Sequence, residues 1–160
     1  MDIDKTRTIA FTGHRQLKSG ITPDELVKKL DSAIADSYRQ GYRMFISGMA
    51  QGFDMLAAEA VLRFQQSCMD INLICILPFN GPERRFSYED KQRYHSILSS
   101  TSQIHYTAEK YYDGCFLHRD DVMVSNASGI IAYYDNSVRS GTGYTVRRAQ
   151  RSNLSVTNLY

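Results

Sequence analysis

Ile71-Asn-Leu-Ile-Cys-Ile-Leu77 is apolar at every position except Asn72. A strand with one wet face alternates apolar and polar residues; a run this continuous suits a strand covered on both faces, as in a parallel sheet between two layers of helices. The surrounding sequence has the matching rhythm. Short apolar segments at 8–12, 44–47, 71–77, 103–106, 129–135 and 155–159 read as strands, and 23–40, 51–66, 86–99, 114–126 and 142–151 between them as helices. Leu26, Leu30, Ala33 and Ile34 recur at three- and four-residue spacing and give the first helix one buried stripe. Thr22, Pro23 and Glu25 form a capping-box start, and Gly41 suits the C-terminal end. Such β/α alternation predicts an α/β fold: a single Rossmann-like, doubly wound, mainly parallel sheet of five to six strands flanked by helices, over residues 1–160.

The 160 residues carry 19 Lys+Arg against 17 Asp+Glu, a net charge of +2 that favours no long polyanion. With 42% hydrophobic residues and only 3 Pro, collagen-like and disordered classes are excluded. No apolar run reaches the ~20 residues of a membrane span. Three widely spaced cysteines (Cys68, Cys75, Cys115) without a CxxC fit a reducing cytoplasm, and they read as small core residues.

Polar and glycine residues collect where strands are expected to end. Thr12-Gly13-His14-Arg15 follows the first strand, Ser47-Gly48-Met49-Ala50-Gln51-Gly52-Phe53-Asp54 the second, and Pro78-Phe79-Asn80-Gly81 the third. Asp135 and then Ser140-Gly141-Thr142-Gly143-Tyr144-Thr145 follow the fifth. In a parallel sheet these loops share one edge, where open α/β sheets bind ligands. Two of them lead into helices, whose N-termini favour anions. Gly13, Gly48, Gly52, Gly141 and Gly143 are candidate phosphate-loop positions. Arg15 is a candidate phosphate clamp, and His14, Ser47, Pro78, Ser140, Thr142 and Thr145 are further candidate ligand contacts. Asp54, Glu59 and Asp135 are the carboxylates available for ribose contacts or catalysis, and Tyr133, Tyr134 and Tyr144 could stack on a base, at most one of the first two facing the site because they alternate across a strand. Val146 stands where GxGxxG needs its third glycine, and GxxxxGK[ST], GxSxG and HExxH are absent. No metal site is expected: His118, Asp120 and Asp121 read as a helix surface.

Phe11-Thr-Gly-His-Arg15, Ser47-Gly-Met-Ala-Gln-Gly-Phe-Asp54 with Ala57-Ala-Glu59, and Ser140-Gly-Thr-Gly-Tyr-Thr-Val146 closely resemble the YpsA-like proteins of the SLOG superfamily. Pro78-Phe79 with Glu83 and Phe86, and His118-Arg119-Asp120 with Met123-Val124, resemble that family's intermediate motifs, with Phe for its usual Trp and Asp120 for its Asn. The resemblance implies a Rossmann-like fold and a nucleotide-derived ligand such as ADP-ribose, NAD or a nucleoside phosphate, with phosphate at the helix after Ser140 and no further cofactor required. More distant relatives offer two alternatives. LOG phosphoribohydrolases cleave N-glycosidic bonds of nucleoside monophosphates through an Arg and a Glu, and Thr145 stands at the Glu position. DprA-like proteins bind single-stranded DNA, which the small net charge does not favour. Association into homo-oligomers is also expected of such relatives.

Overall fold

The computed structural model describes residues 1–160. Six strands and five helices alternate as β1 (Thr8–Gly13), α1 (Pro23–Arg39), β2 (Met44–Ser47), α2 (Phe53–Gln65), β3 (Asn72–Leu77), α3 (Tyr88–Ser100), β4 (Gln103–Tyr106), α4 (Cys115–Ser125), β5 (Gly129–Tyr133), α5 (Gly141–Arg151) and β6 (Ser155–Asn158). The strands pair in the order β4-β3-β2-β1-β5-β6, and every pairing is parallel. The fold is the α/β Rossmann-like one expected, with all six strands parallel rather than most.

The pleat divides the run that opened the sequence reading. Leu73, Cys75 and Leu77 join a core built with α1, α2 and α3, whereas Ile74 and Ile76 join one with α4 and α5. Both faces of β3 are therefore dry, and a polar residue on either would be buried unpaired. In α1, Leu26, Leu30, Ala33 and Ile34 are buried as their spacing predicts. Its capping box is formed: the Glu25 N–H donates to Thr22 Oγ1 at 3.3 Å, and the Thr22 N–H donates to Glu25 Oε2 at 2.9 Å.

Three expected boundaries move by two residues, for local reasons. The strand read through 135 stops at Tyr133, because the Asp135 N–H donates to His14 and its carboxylate accepts from the N–H and hydroxyl of Ser137. The helix read from 51 begins at Phe53, because Gly52 has φ 80°. Within the irregular stretch 80–85, Pro82–Arg85 forms a single 3-10 turn, and α3 then starts at Tyr88 behind an N-cap on Ser87. No helix is long and apolar enough to cross a membrane.

Candidate functional site

Because all strands run the same way, the loops after β1, β2, β3, β4 and β5 share the carboxyl edge, and strand order changes direction between β1 and β5. The main cleft on that edge has a volume of about 620 Å³ and lies over the ends of β2 and β3. Arg15 and the 48–51 segment supply one wall, Pro78, Phe79 and the 81–86 segment another, and Tyr111, Phe116 and Arg119 the third. Recesses of about 330 and 550 Å³ flank β6, each with one basic residue (Lys29 and Arg147) among its lining.

The main cleft differs from these in its charge. Arg15, Arg84, Arg85 and Arg119 line it, and no Asp or Glu does. Arg15, Arg84 and Arg85 form no ion pair within the chain. Arg119 is only 6% exposed. Its Nε donates to Asp120 Oδ1 at 2.6 Å and one terminal nitrogen to the Gly48 carbonyl at 2.6 Å, which leaves the other terminal nitrogen without a protein partner. Four guanidinium groups around a partly enclosed space of low dielectric attract and fork onto an anion far more strongly than exposed lysines would.

The loop after β2 is fixed from within. The Ser47 hydroxyl donates to the Asp54 carbonyl at 2.9 Å and accepts from the Met49 N–H at 3.1 Å. Met49 is held at φ 59° although it carries a side chain, a strained geometry that the surrounding contacts impose. Gly48 packs so closely on Arg119 that a Cβ there would lie 2.9 Å from the guanidinium carbon. Asp54 accepts from the Ala50 N–H at 3.3 Å through Oδ2, while its buried Oδ1 has no partner. Burial lifts this carboxyl from its ordinary 3.8 to about 7; the nearby charge of Asp120 adds to the rise, and Arg119, the Ala50 N–H and Arg15 oppose it.

A pH dependence follows from that shift. Between about pH 4 and pH 7 the folded protein keeps a proton that the unfolded chain loses, so the contribution of Asp54 is complete in acid and declines on the order of 4 kcal/mol as pH rises to 7. Denaturant melts of wild type and Asp54→Asn at about pH 4 and about pH 8 are expected to show the wild type losing stability relative to the variant. Parallel pH profiles for the two proteins would contradict this assignment.

The other sequence candidates take varied places. His14 Nε2 accepts from the Asp135 N–H at 2.7 Å, which puts a ring proton on Nδ1; burial lowers the pKa of the ring, with the charge of Asp135 opposing. Asp135 is held below its ordinary value chiefly by the hydrogen bonds from Ser137, and it sits over β5, outside the cleft lining. Gly13 packs against the ring of Phe53 and is likewise outside the cleft lining. Ser140 caps α5 by accepting from the Gly143 N–H at 3.1 Å. Thr142, Gly143 and Thr145 are buried, and the Thr145 hydroxyl donates to Asp120 Oδ2 at 3.0 Å. Thr145, near the start of α5, thus braces Arg119 through Asp120, and residues 140–145 do not line the cleft. Glu59 is also remote from it. It pairs with Arg93, which holds Asp90 at 2.9 Å, and Asp90 in turn accepts from the Gln51 side chain at 3.0 Å.

A sequence profile of the YspA SLOG family matches residues 9–158, nearly the whole chain. The chain belongs to that family. Among relatives, it is 24% identical over 156 residues to a UPF0398 protein of Bacillus pumilus, covering 90% of this chain and 82% of the relative. It is 18% identical over 153 residues to the UPF0398 protein YpsA of Bacillus subtilis, covering 91% and 85%. In three dimensions it is similar to DNA processing protein A (DprA) of Streptococcus pneumoniae, with a TM-score of 0.67 at 19% identity over 96% of this chain. DprA of Helicobacter pylori, described for its single-stranded DNA binding mode, gives a TM-score of 0.68 at 18% identity over 96% of this chain. The chain spans 50% and 65% of those two structures, and at this identity the likeness is one of fold.

For this YspA SLOG protein, the glycine-rich turns alone do not reveal the whole cleft. Phe79, Arg84, Arg85, Tyr111, Phe116 and Arg119 all line it, and none is among the residues that the sequence offers as ligand contacts. A signal for Arg119 was present: Cys115, Arg119 and Met123 recur every four residues on α4, and all three are buried. An arginine on the buried stripe of a helix must be paired or functional.

Proposed function

We propose that the protein binds a nucleotide or nucleotide-derived ligand, such as ADP-ribose, an NAD-like molecule or a nucleoside phosphate, in the arginine-lined cleft. The observation that carries this reading is a cleft wall with four guanidinium groups and no carboxylate. Arg119 offers its one unpartnered terminal nitrogen, held in place by Asp120 and the Gly48 carbonyl, and Arg15, Arg84 and Arg85, which have no ion-pair partners, supply the remaining donors to the phosphate. The same wall argues for binding over N-glycosidic hydrolysis, which requires a carboxylate beside the sugar. Asp54 is buried behind the 48–52 loop, and Thr145, at the position of the LOG glutamate, spends its hydroxyl on Asp120. Binding of single-stranded nucleic acid is a second reading, favoured by Tyr111 and Tyr112, 60% and 43% exposed, near the exposed Arg84 and Arg85.

Thermal unfolding with ADP-ribose, NAD and nucleoside monophosphates is the direct test. A ligand present at about 100 times its Kd stabilises the fold by about 2.7 kcal/mol and raises Tm by about 5–10 °C in a chain of this size. An unchanged Tm with every member of the panel at millimolar concentration would refute the small-ligand reading. Salt-dependent retention of oligonucleotides without any mononucleotide shift would favour the second.

A further inference from the structure

Phe116 occupies an unusual position in the cleft. It stands in the first turn of α4, is 37% exposed, and has the guanidinium carbons of both Arg15 and Arg119 5.9 Å from its ring centre. Phe79 and Tyr111 complete a ring cluster with it, at centroid separations of 5.8 Å (Phe79–Tyr111), 6.1 Å (Phe79–Phe116) and 6.3 Å (Tyr111–Phe116). The interplanar angles are 84°, 64° and 58°, so each ring meets its neighbours edge-on or tilted and none is covered face-to-face by another. Tyr111 is 60% exposed and comes from the β4–α4 loop, while Phe79 comes from the loop after β3. Three aromatic side chains brought from three separate points of the chain to adjoining walls of one cleft leave apolar area open to solvent. The guanidinium groups of Arg15 and Arg119 lie over the Phe116 ring, whereas no guanidinium lies over Tyr111 or Phe79, whose faces suit a flat aromatic partner added by offset stacking.

We infer that Phe116, Tyr111 and Phe79 form a seat for a nucleobase or other planar heteroaromatic ring, so that the cleft selects base-bearing phosphates over bare sugar phosphates. This rests on the reading of the cleft as a phosphate site and extends it to the other end of the ligand. The base rests on the aromatic cluster while the phosphate engages the arginines beside it, so one ligand makes two chemically different contacts. Stacking needs no base edge to be read, so purines and pyrimidines both fit the seat, with the larger purine gaining more contact.

Calorimetric titration of the full chain with AMP, UMP and ribose 5-phosphate tests it, with Phe116→Leu and Tyr111→Ala as variants. Tyr111 touches no guanidinium group and is mostly exposed, so its truncation preserves both the fold and the arginine geometry. The wild type is expected to bind at least one nucleotide about ten-fold or more tightly than ribose 5-phosphate, the scale of one base–aromatic stack. Both variants are expected to lose most of that preference, and in Tyr111→Ala nucleotide affinity falls several-fold more than affinity for ribose 5-phosphate. If the nucleotides bind no better than ribose 5-phosphate, or the preference survives in both variants, the ring seat is overturned and the phosphate site stands. Equal loss of nucleotide and ribose 5-phosphate binding in Tyr111→Ala also overturns it, by showing a general effect on the cleft. Failure of the wild type to bind any of the three removes the phosphate reading and the seat together.

Discussion

Arg119→Met is expected to destabilise the protein by about 3–5 kcal/mol, the cost of breaking a buried charge network by removing one partner. For a chain of this length that corresponds to a Tm about 6–20 °C lower. Methionine can fill the space of the aliphatic stem, so the loss is chiefly electrostatic. The Gly48 carbonyl loses its donor and Asp120 Oδ1 loses a 2.6 Å charge-assisted contact. Asp54 loses the positive charge that most opposes the upward shift of its carboxyl. The upward shift of that carboxyl therefore grows, which moves the acid-side stability gain toward higher pH. Arg119→Lys should fall between, because an ammonium keeps the charge but cannot fork onto the Gly48 carbonyl and Asp120 together. Differential scanning calorimetry of the three proteins decides the matter, and a methionine variant melting within about 2 °C of wild type would show that the network contributes little.

Gly52→Ala is the second large effect. Gly52 has φ 80° and ψ −122°, a region closed to residues with a side chain. The added methyl would also lie 2.2 Å from the Arg15 carbonyl oxygen and 2.6 Å from its carbon. Both obstacles are backbone, so no rotamer change relieves them. The β1–α1 connection must lift from the start of α2, breaking the bond in which the Phe53 N–H donates to the His14 carbonyl at 3.3 Å. Strain and overpacking together put the cost at about 2–6 kcal/mol, with ligand affinity falling as Arg15 moves. Gly141→Ala is the control. An added methyl there meets nothing within 4 Å, and Gly141 is the first residue of α5, so stability should change by no more than about 1 kcal/mol. Urea denaturation of both variants separates a glycine that the fold demands from one that it tolerates, and equal stabilities would refute the distinction.

Much of this molecule is legible in one dimension because the signals are local. The capping box at Thr22, the stripe from Leu26 to Ile34 and the dry run at β3 are each properties of a few adjacent residues, and each is found as read. The candidate site is legible only in part. Arg15, Gly48 and Pro78 line the cleft, whereas residues 140–145, with equally suggestive composition, do not, and Thr145 braces Arg119 through Asp120. Nothing in the 140–145 segment distinguishes a loop that meets ligand from one that supports an arginine, because the difference depends on which strand lies next to β5. Glu59 likewise looks like a free carboxylate until α3 brings Arg93 against it.

By itself, then, the sequence determined the parallel α/β architecture and the collection of its turn chemistry at one edge. Strand period and helix period are set by backbone geometry, and a parallel sheet must place all its strand-to-helix turns together. The tertiary structure alone decided which turns form the cleft. The order β4-β3-β2-β1-β5-β6 is fixed by contacts between distant segments, and it brings Arg15, Arg84, Arg85 and Arg119 around one space while carrying the acids elsewhere. Charge and aromatic faces converge there because packing placed them so, and no spacing along the chain encodes that convergence.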